Sequence, residues 1–269
     1  MPRSHPLDSP LYLAAVRTGT STTPGRQPKV ISFSGVDGAG KTTQIDFLCD
    51  WLRDADLTVR RLTFWDDVAV LGRTRESLSH TMFKGETGVG SAANPIRRRD
   101  KDVRTWYTIP VRFLLYFLDA LKLLFLCLHL SGASDADVII FDRYLYDELA
   151  NLNLNNSRTR AYIGFLLKFT PCPDVAFLLD ADPAEACSRK PEYPLSFVHE
   201  NRAAYLRLTA QAPGIMVIPP LPVEQVASQV QELISTNLFA HLMENVAQQT
   251  KKECAIPVDA GPAPAATNS

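Results

Sequence analysis

One eight-residue run, Gly35-Val36-Asp37-Gly38-Ala39-Gly40-Lys41-Thr42, restricts the folds open to this chain more than any other feature. It fits G-x-x-x-x-G-K-[ST], a tight turn whose backbone N–H groups close around an anion. Glycines allow the backbone angles such a turn needs. In that pattern Lys41 reaches the outer phosphates of a nucleotide and the Thr42 hydroxyl can ligate magnesium. The loop amides through Thr43, at the positive end of the next helix, add to the cradle. The flanks suit the motif. Lys29 to Ser34 is a short run rich in β-formers, and from Thr43 to Arg53 the residues Ile45, Leu48, Cys49 and Leu52 recur at helical spacing. A glycine turn with no ligand is the plainer reading of the same residues, and the strand–loop–helix context weighs against it.

The rest of the chain alternates in the same way. Leu57–Trp65, Asp137–Phe141, Val175–Leu179 and Ile215–Ile218 read as strands, mostly as continuous apolar runs. Between them, Val111–Leu130, Tyr146–Phe169, Pro183–Lys190, Phe197–Gln211 and Val223–Ile234 read as helical, and Asp66–Tyr107 as an irregular, basic stretch. Strands alternating with helices predict an α/β fold, a parallel sheet with helices on both faces. With 269 residues, of which 46% are hydrophobic, the chain suits one such domain plus extensions. We place the domain at 29–238, a disordered N-terminal extension at 1–28 and a mostly disordered tail at 239–269. Residues 1–28 lack a charged-then-apolar signal pattern.

Charge nearly balances, 28 basic against 29 acidic residues, so nothing global points to a nucleic-acid partner. Val111–Leu130 is apolar apart from Arg112, Asp119, Lys122 and His129; those residues recur too often for a membrane span, and a helix buried on most sides of the domain is expected instead. The five scattered cysteines form no C-x-x-C pair, which fits a reducing, cytoplasmic setting.

A second chemical site follows from topology. In a parallel sheet, ligands sit at the carboxyl ends of the strands. Asp142 ends a buried strand, where it can approach a magnesium ion beside Thr42, and Arg143 can grip a phosphate from the same cleft. A purely structural Asp–Arg pair is the alternative.

These residues carry a resemblance. Gly35-Val36-Asp37-Gly38-Ala39-Gly40-Lys41-Thr42-Thr43-Gln44 resembles the phosphate loop of the thymidylate kinase family, and Asp142-Arg143-Tyr144 its Asp-Arg-[Tyr/His] motif. Pro173-Asp174 followed by Leu178-Leu179-Asp180-Ala181-Asp182-Pro183-Ala184-Glu185 is similar to a further stretch of that family, and 197–206 to the helix after its lid. The likeness runs in order from about Lys29 to Leu238. It implies a P-loop NTPase fold with a five-stranded parallel, nucleoside-monophosphate-kinase-like core. It further implies Asp37 near the acceptor, Arg143 on the donor or transferring phosphate, and Arg189 with Lys190 in a short lid. A solvated helix end is the alternative for the last pair.

The acceptor side departs from the family. Phe64-Trp65-Asp66-Asp67-Val68 stands where the family has Arg-Glu-Pro-Gly-Gly, Ala120 follows Asp119 where it has arginine, and Asp147-Glu148-Leu149-Ala150-Asn151-Leu152 replaces its serines and Ala-Tyr-Gln. Arg97-Arg98-Arg99 could supply acceptor contacts or be a solvated loop. Trp106, Tyr107 and Tyr116 could stack on a base or be core. The expected chemistry is transfer of the γ-phosphate of ATP, with Mg2+, to a small-molecule acceptor, most simply a nucleotide. Lys41, Asp142, Arg143 and Arg189 are the expected catalytic residues, and Thr42 and Asp142 the metal ligands. A sugar or lipid-linked acceptor, or a nucleotide-binding regulator without transfer activity, remains open. So does a homodimer.

Overall fold

The computed structural model describes residues 27–71 and 108–238. They belong to one compact unit, Thr22–Leu238; the other, Met1–Ser21 with Phe239–Ser269, lies outside them. The two extensions, Arg97–Arg99, Trp106 and Tyr107 therefore also lie outside the described residues, apart from Gln27 and Pro28.

Five strands form one parallel sheet: β1 (Lys29–Ser34), β2 (Val59–Thr63), β3 (Val138–Asp142), β4 (Val175–Leu179) and β5 (Ile215–Ile218), in the order β2-β3-β1-β4-β5. The central strands are runs of Val, Ile, Leu and Phe because both faces are covered. Ile31, Phe33, Ile140 and Phe141 are fully buried. Helices α1 (Lys41–Asp54), α2 (Thr108–Ala133), α3 (Leu145–Ala150), α4 (Ser157–Phe169), α5 (Pro183–Arg189), α6 (Leu195–Thr209) and α7 (Val223–Leu238) fill the crossovers. β1 lies between β3 and β4, so the loop leaving it opens where the chain crosses from one half of the sheet to the other, the expected place for a ligand.

Three expectations need correction. The second strand stops at Thr63 rather than Trp65. Phe64–Val68 forms a single wide helical turn, closed by the Ala69 N–H donating to the Phe64 carbonyl at 2.7 Å. The Asp67 carboxylate accepts from the Thr63 N–H at 2.7 Å, which takes the backbone out of the strand path. The helical stretch 146–169 is two helices. Asn156 caps the second by accepting from the Arg158 N–H at 2.9 Å, a local bond that competes with a continuous helix.

The third correction concerns α2, which is not buried on most sides. It buries one stripe, including Tyr116, Asp119, Ala120, Leu123 and Leu130, while Val111, Leu114, Phe125 and Leu128 are exposed. Pro110–Gly132 is long and apolar enough to cross a membrane, with a mean hydropathy of 1.9 in its most apolar window, of which 28% is buried. It nonetheless packs in the domain. Asp119 accepts from the Val70 N–H at 2.7 Å, and Phe113 stacks on Tyr162 of α4 with centroids 4.1 Å apart. The cysteines among the described residues, Cys49, Cys127, Cys172 and Cys187, are free.

Candidate active site

Residues 35–40 leave β1 as an open turn, and α1 begins at Lys41. Gly38 and Gly40 both have left-handed backbones, φ 83° and 88°. The reasons they must be glycine differ. A Cβ at Gly38 would lie 2.3 Å from the Ala186 carbonyl oxygen of α5, whereas one at Gly40 would meet nothing within 4 Å. The loop is thus pressed against α5 at Gly38 and open to solvent at Gly40. Thr42 and Thr43, in the first turn of α1, are exposed. Amides at a helix start, with side chains facing outward, make an anion-binding mouth.

Lys41 is 6% exposed. Its ammonium donates to the Gly35 carbonyl at 2.7 Å and the Val36 carbonyl at 2.9 Å, folded over the loop it would share with a phosphate. Burial, with the positive Arg143 nearby, lowers its pKa to about 8 against the opposing pull of Asp147, Asp37 and Asp142.

Arg143 follows β3 with φ 71°, a strained angle for a non-glycine residue. Its N–H donates to the Phe33 carbonyl at 2.9 Å, which pins the left-handed turn beside the loop. The guanidinium pairs with Asp37 and lies 3.6 Å from Asp147. Burial alone would lower its pKa, but Asp37 and Asp147 outweigh it and raise the pKa further. Loop and arginine therefore meet through Asp37. Lys190 reaches the same carboxylate at 3.8 Å. Arg189 does not join them. Its guanidinium is 3.0 Å from Glu185 on its own helix. α5 ends at Arg189, so Lys190 is the residue released from the helix toward the loop. Asp182 sets where α5 starts, accepting from the Ala184 and Glu185 amides at 2.9 and 3.1 Å.

Asp142 ends β3 in register with Phe33 of β1 and Thr63 of β2. Its Oδ2 accepts from Arg61 at 2.6 Å, and the other terminal nitrogen of Arg61 is 2.9 Å from Asp46 on α1. Arg61 is a residue the sequence reading missed; the available signal was a charged side chain next to the end of a strand. No cluster of three or more His, Cys, Asp or Glu side chains suited to a metal occurs among the described residues. Thr42 and Asp142 offer the hydroxyl and carboxylate oxygens that magnesium takes beside waters and phosphates, and Asp142 would have to share its carboxylate between the ion and Arg61.

On the acceptor side, Tyr116 is core at 5% exposure. Asp67 is occupied by the Thr63 amide, and Trp65 stands edge-on to Phe64 with centroids 5.9 Å apart. Arg202 of α6 binds Asp180 at the end of β4 through two bonds, of 2.6 and 2.7 Å, tying α6 to the sheet.

A five-stranded parallel sheet with helices on both faces and a glycine loop leaving the strand between β3 and β4 is a P-loop NTPase fold. No family model matches the chain. It is 26% identical over 216 residues to a probable thymidylate kinase from Methanosphaera stadtmanae, covering 79% of this chain and 98% of that one. It is 28% identical over 229 residues to the thymidylate kinase of Bifidobacterium longum subsp. infantis, covering 81% and 88%. A solved thymidylate kinase structure from Candida albicans shares the fold with a TM-score of 0.52 at 20% identity, over 78% of this chain and 92% of its own. The chain is thymidylate kinase-like.

Proposed function

We propose that the protein is an ATP-dependent phosphotransferase of the thymidylate kinase type, moving the γ-phosphate to a nucleotide. The observation that carries this reading is the convergence of Lys41, Arg143 and Lys190 around one loop with an amide-lined mouth. In transfer, the bond from the γ-phosphorus to the bridging oxygen breaks, a bond to an acceptor oxygen forms, and ADP leaves. The chain's part is positioning and charge neutralisation. The loop amides and Lys41 hold the donor phosphates. Arg143 faces the transferring group. Lys190, and Arg189 once released from Glu185, close the donor side and exclude water. Thr42 and Asp142 would hold Mg2+, which supplies charge neutralisation on the phosphates when bound. Free thiols and balanced charge support a cytoplasmic protein acting on small molecules, with no nucleic-acid or membrane partner. The exposed seam of α2 supports a homodimer.

The acceptor is the open part of this reading, and dTMP is expected to serve poorly. Asp67 accepts from the nearby Thr63 N–H, Asp119 accepts from the Val70 N–H across the packing of α2, and Ala120 is buried in the core. A site that loses a phosphate-gripping arginine and a base-reading amide gives up bonds worth about 1.5–3 kcal/mol each, together roughly two to four powers of ten in kcat/KM. ADP release with dTMP, other nucleoside monophosphates and a few sugar acceptors tests this. A kcat/KM for dTMP at or above about 10⁵ M⁻¹s⁻¹, an ordinary enzyme value, would reject the expected discrimination.

A further inference from the structure

Asp147 opens the stretch 147–152 that departs from the resembled family, and its surroundings are specific. It sits in α3, 3% exposed, with every contact made inside the protein. Oδ2 accepts from the Ser34 hydroxyl at 2.7 Å and from the Tyr144 N–H at 2.9 Å. Oδ1 accepts from the Tyr205 hydroxyl at 2.7 Å and faces the Arg143 guanidinium at 3.6 Å. The partners come from the end of β1, the β3–α3 junction and α6.

A carboxylate this deep stays charged only with bonds and a counter-ion. Two hydroxyls and an amide supply the bonds, and Arg143 is the nearest cation. One terminal nitrogen of Arg143 is bonded to Asp37 and the other faces Asp147, so each prong of the planar fork meets a carboxylate. A guanidinium carries five N–H donors, more than these two carboxylates can take. A serine has one oxygen with two acceptor lone pairs, too few for these three bonds, and would bring no charge to the guanidinium. Tyr205 lies on α6, which Asp180–Arg202 anchors to the sheet.

We propose that Asp147 is a positioning residue: its buried carboxylate fixes the Arg143 guanidinium at the mouth of the phosphate loop and, through Tyr205, sets that placement against α6. The proposal rests on the nucleotide reading above. Its test is titration of ATP and of ADP, each with magnesium, into full-length wild-type, D147N, Y205F, R143A and D147N/R143A proteins, with melting temperatures alongside. Arg143 faces the terminal phosphate, so R143A should weaken ATP about tenfold, one charge-assisted bond's worth, and ADP much less. D147N should lower the ATP-to-ADP preference in the same direction by about three- to tenfold, and add little in the R143A background. Y205F, which removes one bond to Asp147 and keeps the ring, should shift the preference the same way by less. A residue that only stabilises the fold would lower melting temperature and leave the preference unchanged, or add its effect fully to R143A; either result overturns the proposal. Wild-type protein that binds neither nucleotide would overturn the underlying reading, and the proposal with it.

Discussion

Lys41 is a buried ammonium with two carbonyls for company, and that placement makes it both a ligand and a proton acceptor. Its ligand-free pKa of about 8 lies below the 10.5 of an unfolded lysine. The sign follows from linkage. The folded state holds fewer protons between those two values, so the cost of burying the charge is present below about pH 8 and fades as pH rises toward 10.5. A bound polyphosphate stabilises the charged form and pulls the pKa back up. Binding ATP at pH 8 should therefore take up about half a proton, and affinity should fall as pH rises through that range. Calorimetric titration in buffers of different ionisation enthalpy reads the uptake directly. Lys41→Ala should abolish it and reduce transfer by roughly 10²–10³-fold while leaving the protein folded. Buffer-independent enthalpies in the wild type would remove Lys41 from the phosphate site.

Elements hold the site together where loop meets helix, and Gly38 against α5 is the tightest of those joints. Its φ nearly matches that of Gly40, so alanine costs similar backbone strain at either position, of order 1 kcal/mol or more. The Cβ of Gly38→Ala adds a clash with the Ala186 carbonyl that Gly40→Ala does not. Gly38→Ala should therefore lower the melting temperature by several degrees more than Gly40→Ala, since about 1 kcal/mol is worth 2–4 °C in a domain this size. Equal shifts in a thermal melt would mean the loop does not bear on α5. This joint is also where the sequence falls silent. The glycines and the apolar strands were legible because their signals are local. That α5 ends one residue before Lys190, turning that residue to Asp37 while Arg189 stays on Glu185, depends on helix phase. Arg61 on Asp142 and Tyr205 on Asp147 join residues 81 and 58 apart. The departure at Phe64–Trp65 has a different, local origin: two β-favouring aromatics were outvoted by the Asp67 side chain bonding the backbone four residues earlier.

At the scale of the whole molecule, α2 presents an exposed apolar stripe. Val111, Leu114, Phe125 and Leu128 are 58–68% exposed, and Leu118 and Leu121, between them, are half-buried. The six recur at alternating spacings of three and four, the seam of a helix that packs along another helix. Phe165 and Phe169 of α4 stand exposed as well, and Phe165 stacks with Phe117 of α2. Soluble monomers rarely leave such a stripe bare. A membrane span would be apolar all round, whereas Lys122 and His129 interrupt this one. A second copy supplies an identical seam and needs no other partner. Light scattering at micromolar concentration should therefore give twice the 29.8 kDa chain mass. Leu128→Arg, which places a charge in the seam and touches no residue of the loop, should give monomers that still bind ATP. A wild-type monomer would refute the dimer, and flotation of that monomer with neutral phospholipid vesicles, lost in the variant, would show the stripe to be a membrane-facing surface.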